Sequence, residues 1–367
     1  MDAPQLFYQD PSQVITEIKA LYESFLGKEI LPAQPEMQIV LALANREVNK
    51  NAQSDYALSQ VLVDFAVSPM LDYLGATAGI FRLAATPAET TIRFTLVPNH
   101  GGIIIPNGTR VSTTDGKIMF ATSMETPVSA GTNSIDVHAI AVSEGKSGND
   151  YIVGTVSVIV DPQPFLQSAS NVTVTSAGAE IETDTGLRER IKLGPSRNST
   201  AGPISAYKFH TRAANPSIID VAVTSPFAGQ VNVYPLIRGG VATPQSVLDA
   251  VSAALNDEEV RPLNDKVVVA SPVRLPYSLT VNIVLRSGAI QSSTVKRVTD
   301  ALIAFCSAKA NKLGEDITVS QLTAAAMNEN VHSINFGGFS DLIVNPISFP
   351  VCTGIFTGTI TYENLNA

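Results

Sequence analysis

The fold of this chain changes character at residues 180–193, which read Glu-Ile-Glu-Thr-Asp-Thr-Gly-Leu-Arg-Glu-Arg-Ile-Lys-Leu. They form the densest mixed-charge stretch in a chain of 367 residues, of which only 16% are charged. Glu180, Glu182 and Asp184 alternate, so they share one face of an extended segment. Strand-like segments precede this stretch, and strands alternate with helices after it. We therefore expect it to join a β domain to mixed α+β domains.

The second half of the stretch predicts a short helix. Leu187 and Ile191 lie four residues apart, which places both on one side of a helix. Asp184 or Thr185 is expected to cap its N-terminus. We expect the two arginines to pair with the nearby carboxylates or with a neighbouring subunit; the alternative is a solvated helix face of little energetic value. The candidate ion-pair residues at this domain junction are Glu182, Asp184, Arg188 and Arg190.

The acidic spacing also raises the possibility of a calcium loop, but the fit is poor. Gly186 falls one place late for an EF-hand, and the twelfth position from Glu180 is Ile191 rather than a bidentate Glu. A strand that feeds a capped, salt-bridged helix explains the pattern better. We therefore expect no metal ion and no other cofactor.

Composition narrows the function classes. The chain has 24 Lys and Arg against 33 Asp and Glu, a formal net charge of −9, which disfavours nucleic acid as a partner. The low charge content suggests that other chains cover much of the surface. Cys306 and Cys352 are expected to be buried free thiols. The chain begins without a signal-peptide pattern, and its apolar segment 151–160 is too short to span a bilayer. We expect synthesis in the cytosol and no membrane insertion.

The first 85 residues predict an assembly region made of helices. Residues 12–27 form an amphipathic pattern, and residues 36–74 form either two helices or one long helix. The long segment is half polar, which favours a bundle with other subunits. The apolar residues proposed to contact a partner are Leu58, Leu62, Phe65 and Leu71. An intrachain helical core is an equally good interpretation of the same residues.

The rest of the chain predicts an α+β multidomain protein. From about residue 90 the apolar period becomes two, which indicates a small antiparallel β domain over residues 86–180. Residues 181–290 are expected to contain the junction and a first α+β sandwich domain, and residues 291–367 a second one similar to the first. Helices are expected at 204–214 and 293–310. Strands are expected at 151–160, 171–175 and 341–346, among others.

Catalytic patterns are absent from the sequence. The four histidines are scattered without metal-ligand spacing, and the sequence contains no nucleophile-elbow or phosphate-loop motif. Trp is absent and aromatic residues make up only 6%, which disfavours carbohydrate stacking. We therefore expect neither enzyme activity nor a small-molecule substrate.

Several segments, taken in order, resemble the baseplate J-like family of contractile phage tails and related injection machines. Ile-Pro-Asn-Gly-Thr-Arg-Val at 105–111 and Glu-Thr-Asp-Thr-Gly-Leu-Arg-Glu-Arg-Ile at 182–191 are two of them. The others are residues 64–75, 79–83, 87–88, 115–116, 120–122, 145–149, 229–234, 260–267 and 313–317. The chain departs from the family pattern at 176–179, where a double glycine is usual, and at Gly202-Pro203, where Gly-Thr is usual.

The resemblance implies a structural role in a baseplate wedge. Such wedges surround a central hub, link it to the sheath and the fibre-bearing periphery, and rearrange on triggering. The expected partners are other wedge subunits, copies of this chain, and hub, spike and sheath-linked proteins. The expected location is the tail baseplate of a virion, assembled in the host cytoplasm.

Two other functions are compatible with the residues. A tail-fibre or adhesion protein would bind a host receptor or glycan, but the N-terminal helices and the lack of Trp disfavour it. A peptidoglycan hydrolase would need acidic residues such as Glu182 or Asp184 at its centre, and the catalytic spacing for it is missing.

Overall fold

The structure, a computed structural model, describes residues 4–7, 10–197, 199, 202–257, 260–262 and 264–363. Leu263 of the family-like segment 260–267 lies outside these ranges. The chain forms two compact units, which we call the helical unit (Met1–Arg82 with Thr183–Lys192) and the sheet unit (Leu83–Glu182 with Leu193–Ala367). Most of the mixed-charge stretch therefore groups with the N-terminal helices. The predicted domain boundaries themselves stay predictions.

The helical unit contains four helices in the described residues. They are α1 (Pro11–Leu26), α2 (Pro35–Ser59), α3 (Met70–Thr77) and α4 (Asp184–Leu193), the last residue of α4 being assigned to the sheet unit. The Asp10 side chain caps α1 by accepting from the Ser12 N–H, and Gly27 ends it in the left-handed region. The predicted helical segment 36–74 is thus two helices rather than one.

The sheet unit begins with a six-stranded antiparallel sheet, which confirms the predicted β domain. Its strands, in spatial order, are β7 (Val156–Ile159), β3 (Arg110–Thr113), β4 (Met119–Thr122), β6 (Ser134–Glu144), β1 (Pro87–Leu96) and β8 (Leu166–Asn171). A small pair, β2 (Ile103–Ile105) and β5 (Thr126–Val128), lies outside this sheet. Along β1, buried and less buried residues alternate as the period of two predicts. Phe94 and Phe120 are fully buried in its core.

Asn171 joins β8 to β7, the two edge strands of the six-stranded sheet, so the sheet is a nearly closed barrel. The Asn171 side chain is fully buried. Its Oδ1 accepts from the Val156 N–H at 2.9 Å, and its Nδ2 donates to the Ile152 carbonyl at 3.1 Å. The Gly154 N–H donates to the Asn171 carbonyl at 3.1 Å. A polar side chain therefore replaces a regular ladder where β7 and β8 meet.

This closure explains two errors in the predicted strands. The segment 151–160 is extended only as β7, because Val153 and Gly154 form a turn in which Gly154 has a φ of +89°. The predicted strand 171–175 is wrong, since β8 ends at Asn171. The apolar pattern gave no sign that Asn171 would direct its side chain inward.

Two three-stranded sheets follow, each covered by helices. The first has the order β11 (Lys266–Val269), β10 (Gln230–Ile237), β9 (Ile218–Thr224), with α5 (Ile204–Ala214) and α6 (Gln245–Leu255). The second has the order β13 (Val331–Phe336), β12 (Val273–Leu285), β14 (Ser348–Tyr362), with α7 (Gln291–Ala310) and α8 (Val319–Ala326). In both, the central strand has one parallel and one antiparallel neighbour. The predicted α+β class is confirmed.

The second sheet draws strands from both predicted α+β ranges and lacks one predicted strand. β12, in the range 181–290, pairs with β13 and β14, in the range 291–367. The predicted strand 341–346 is wrong: it forms only an isolated bridge between Leu342 and Ile317. The Asp316 and Asp341 carboxylates accept from nearby backbone N–H groups, which ties this segment down as a loop.

Among the described residues, none of the helices combines the length and the apolar character that crossing a membrane requires.

Candidate assembly site in the helical unit

Thr183 accepts hydrogen bonds from the first turn of α4. Its hydroxyl accepts from the Gly186 N–H at 3.3 Å, and its carbonyl accepts from the Leu187 N–H at 3.0 Å. Thr183 is therefore the capping residue, and the predicted caps at Asp184 or Thr185 are wrong by one or two positions. The Asp184 carboxylate is left free to turn outward from the helix axis toward other partners.

Arg82 organises the carboxylates of this unit. Its Nε and Nη2 donate to both oxygens of Asp72, at 2.7 and 2.9 Å, and Nη2 also donates to Asp184 at 2.7 Å. The Arg82 side chain is only 16% exposed. The Ser68 N–H donates to the second Asp184 oxygen at 3.1 Å. One guanidinium group thus joins α3 to the first turn of α4.

This arrangement shifts the pKa values of the groups involved. The hydrogen bond from Arg82 lowers the pKa of Asp72 below its ordinary value. Burial raises the pKa of Asp184, but the Ser68 N–H and Arg82 outweigh it and the pKa is lowered. The pKa of Arg82 is raised, mainly by Asp72. All three groups are therefore charged at neutral pH.

The arginines of α4 bind backbone carbonyls. Arg188 donates to the Val63 carbonyl at 2.8 Å and to the Ala66 carbonyl at 2.7 Å. Arg190, which is almost fully buried, donates to the Phe81 carbonyl at 2.5 Å. These carbonyls belong to irregular segments that cannot satisfy them in a helix. The two side chains therefore fix the segments on either side of α3.

The four predicted ion-pair residues thus have different surroundings. Asp184 pairs with Arg82, a residue that the sequence analysis did not single out. Glu182 is buried in the sheet unit and accepts from the Leu83 N–H at 3.1 Å. Direct pairing of Arg188 or Arg190 with Glu182 or with a neighbouring subunit stays a prediction. Lys192 forms an ion pair with Asp64 in which both side chains are exposed.

Apolar packing completes the contact between α3 and α4. Leu187 is fully buried and Ile191 nearly so, as their spacing predicted. Gly75 lies so close to its neighbours that a Cβ there would sit 2.6 Å from the Ile80 carbonyl and 3.3 Å from Ile191 Cδ1. Only glycine fits this close approach.

The predicted partner residues divide into two groups. Leu71 is fully buried inside the helical unit, so its proposal as a partner contact is corrected: it belongs to the intrachain core. Leu58 and Leu62 are 42% and 41% exposed, and Phe65 is half-buried. Leu58 and Leu62 thus leave much of their apolar surface exposed in this chain.

More apolar side chains of this unit are exposed than the sequence indicated. The amphipathic pattern predicted for residues 12–27 does not give one buried face, since Val14 is buried but Phe25 is 81% exposed. Of the 25 residues of α2, four are buried. The large apolar residues exposed on α1, α2 and the turn after α2 are Leu21, Phe25, Leu26, Ile39, Leu41, Leu43, Tyr56, Leu58, Val61 and Leu62. We call them the exposed apolar set.

The described residues contain no group of three or more His, Cys, Asp or Glu side chains that could hold a metal ion. The acidic stretch is instead occupied by the hydrogen bonds and the Arg82 ion pairs given above. Its carboxylates therefore have a structural explanation.

Comparisons with known proteins agree with this architecture. Residues 91–178 match the baseplate J-like protein barrel domain, and residues 199–271 match the baseplate J-like central domain. These ranges correspond to the barrel and to the first three-stranded sheet with its helices. Residues 91–178 and 199–271 thus carry two domains of the baseplate J-like family, the family that the resemblance indicated.

Two relatives and one solved structure are similar to the chain. Baseplate protein J of Escherichia phage P2 is 33% identical over 195 residues, which are 51% of this chain and 63% of that protein. Phage-like element PBSX protein XkdT of Bacillus subtilis (strain 168) is 28% identical over 185 residues, 50% of this chain and 45% of that protein. The chain thus spans less than two thirds of each relative. A chain in the cryo-EM structure of the anti-feeding prophage (AFP) baseplate aligns with 92% of this chain and 90% of its own length, with 12% identity and a TM-score of 0.37.

Proposed function

We propose that the chain is a structural subunit of the baseplate wedge in a contractile phage tail or a related injection machine. The two baseplate J-like domains and the similarity to baseplate protein J of phage P2 support the general role. The exposed apolar set supports assembly through the helical unit, and it is the observation that carries the proposal. The chain acts by binding other subunits rather than by catalysis.

In this proposal the helical unit joins a bundle with helices of partner subunits or of another copy. Burying the exposed part of an apolar side chain such as Leu58 or Leu62 contributes about 1 kcal/mol. Several such side chains together stabilise an interface, although ordering the partners offsets part of the gain. The Arg82, Arg188 and Arg190 contacts hold α3 and α4 in a fixed arrangement, so the helices meet a partner already in place.

The proposed partners, location and rearrangement of the chain follow from its role as a wedge subunit. The proposed partners are other wedge subunits, copies of this chain, and hub, spike and sheath-linked proteins. The proposed location is the tail baseplate, with assembly in the host cytoplasm. Triggering rearranges contacts between subunits, and the barrel and the two α+β sheets act as preformed bodies during that change.

The test replaces one exposed leucine and observes assembly. The full chain is co-expressed with the other tail proteins of its own gene cluster, and particles are imaged by electron microscopy. Leu62→Asp is expected to abolish ring-like particles while the purified chain keeps its circular dichroism spectrum, since a buried carboxylate at an interface is strongly unfavourable. Val142→Asp, at an exposed position of β6 in the barrel, is the matched control and is expected to assemble normally.

Two outcomes contradict the proposal. If the wild-type chain never enters a ring-like particle, the wedge role is wrong. If Leu62→Asp and Val142→Asp both assemble like the wild type, the exposed apolar set does not carry the assembly.

A further inference from the structure

Two thiols face each other at a cleft in the sheet unit. Cys306, on α7, is 4% exposed, and Cys352, within β14, is half-buried. Both line a cleft of about 560 Å³ whose other walls include the Arg238–Gly240 loop and Ile303. Both are free thiols whose side chains are close enough to interact, and the Cys352 thiol donates to the Gly354 carbonyl at 3.5 Å. Baseplate assembly as proposed above uses neither of them.

Tyr277 adds a third polar group at this place. It lies on β12, directly opposite Cys352 in the parallel register of β12 and β14. Its hydroxyl is buried without a well-formed hydrogen bond and lies against the Cys306 thiol. A buried hydroxyl of this kind is unfavourable unless a neighbour changes its charge or its bonding. Cys306 therefore has both a thiol and a phenol beside it.

The pKa values of the two thiols are shifted in opposite directions. The hydrogen bond with Cys306 lowers the pKa of Cys352 to about 7, against an opposing effect of burial. The same contact, followed by burial, raises the pKa of Cys306. Cys352 is thus the more acidic member of the pair, and it is also the less buried one. Low-pKa cysteines with a second thiol beside them are the ones that react with oxidants.

We propose that Cys352 is a reactive thiol that small disulfides reach through the cleft, and that Cys306 is the resolving thiol that converts the adduct into an internal disulfide. In the first step, the Cys352 sulfur attacks one sulfur of a small disulfide, and the other half leaves as a thiolate. Cys306 then attacks the Cys352 sulfur. A second thiolate leaves and takes up the proton of Cys306.

The second step is favoured by the first. The hydrogen bond with Cys352 is the main cause of the raised pKa of Cys306. Once Cys352 carries the adduct, it is a weaker hydrogen-bond acceptor, and Cys306 loses its proton more readily. The small disulfide is the oxidant: its two halves gain the two electrons that the protein thiols lose.

The product joins α7 to β14 across a long stretch of chain. Residues 306 and 352 bracket α8, β13 and the loop that the Asp316 and Asp341 carboxylates tie down. A crosslink over such a segment restricts the unfolded chain and stabilises the second three-stranded sheet. We expect the thermal unfolding midpoint of the oxidised protein to rise by roughly 5 °C.

The experiment treats the folded full-length chain with 4,4′-dithiodipyridine and follows thiopyridone release and intact mass. The wild type is expected to release two equivalents, to lose two hydrogens and to retain no adduct. Cys306→Ser is expected to release one equivalent and keep a single adduct on Cys352. Its rate at pH 7 should be about threefold lower than that of the wild type. Without the Cys306 thiol a smaller fraction of Cys352 is thiolate, and this loss outweighs the higher nucleophilicity of a thiolate with a higher pKa.

Further variants make the assignment falsifiable. Cys352→Ser is expected to react at Cys306 only after unfolding in urea, and Val268→Cys supplies an exposed reference thiol of ordinary acidity. A stable single adduct on the wild type would overturn the resolving role of Cys306. A wild type that reacts only in urea, or a Cys352→Ser variant that reacts at the wild-type rate, would overturn the reactivity of Cys352.

Discussion

The helical unit and the barrel are stabilised in different ways. The barrel has a continuous apolar core that includes Phe94 and Phe120, and its ion pair between Arg93 and Asp136 lies on the surface. The helical unit instead places Arg82 and Arg190 in partly or fully buried positions, where they bind carboxylates and carbonyls. A unit that leaves many of its apolar side chains exposed relies more on polar contacts to hold its own shape. The comparison predicts which substitutions each unit tolerates.

The largest effect is expected in the barrel core. Phe120→Ala removes a fully buried ring and should lower the free energy of unfolding of the barrel by about 3–5 kcal/mol. The chain contains no Trp, so a single Val158→Trp on the exposed face of β7 serves as the fluorescence reporter in urea titrations. A loss below about 1 kcal/mol would mean that the core relaxes around the cavity and that the barrel does not depend on apolar packing.

The next effect tests the charged contacts of the helical unit. Arg82→Met leaves Asp72 and Asp184 close together without their cation, and we expect a loss of about 2–3 kcal/mol. Tyr73→Trp, at an exposed position on α3, reports unfolding of this unit. The matched control is Arg93→Met, which removes an equally short bidentate pair whose arginine is 51% exposed. Equal effects in the two units would contradict the comparison.

Acid should weaken the helical unit through the same carboxylates. The folded-state pKa values of Asp72 and Asp184 are lowered, so these groups stabilise the unit above the ordinary Asp pKa of about 3.9. That stabilisation is lost as the pH falls through the lower folded-state values. Urea midpoints measured with Tyr73→Trp between pH 6 and pH 2 should therefore begin to fall once the pH is lowered below about 4. The drop should be smaller in Arg82→Met; an unchanged drop would assign it to other carboxylates.

The sequence predicted the elements that depend on local periodicity. The spacing of Leu187 and Ile191 correctly indicated a helix with both residues buried, and helix 204–214 matches α5. Alternation along β1 indicated the barrel core. These features follow from neighbouring residues on the same element, which is the information that a single sequence carries.

Contacts between distant residues were not predictable in this way. Arg82 and Asp184 are 102 residues apart in the sequence, and the inward side chain of Asn171 closes the barrel from a segment with a strand-like pattern. The same limit applies to Leu71. Its apolar character fits both an intrachain core and a partner surface, and only its packing assigns it to the core.

The smallest effect is expected at Lys192, and it decides whether charge as such stabilises α4. Lys192 and Asp64 form an ion pair, but both side chains are exposed, so water and salt screen the attraction. Lys192→Ala should therefore leave the urea midpoint of the helical unit unchanged. Arg188→Ala, four residues earlier on α4, removes the donor to the Val63 and Ala66 carbonyls and should lower that midpoint measurably. If the two variants behave alike, net charge rather than hydrogen bonding to specific carbonyls holds α4. If only Arg188→Ala is destabilised, α4 acts through its guanidinium groups, and exposed charge in this unit is available for contacts with other subunits.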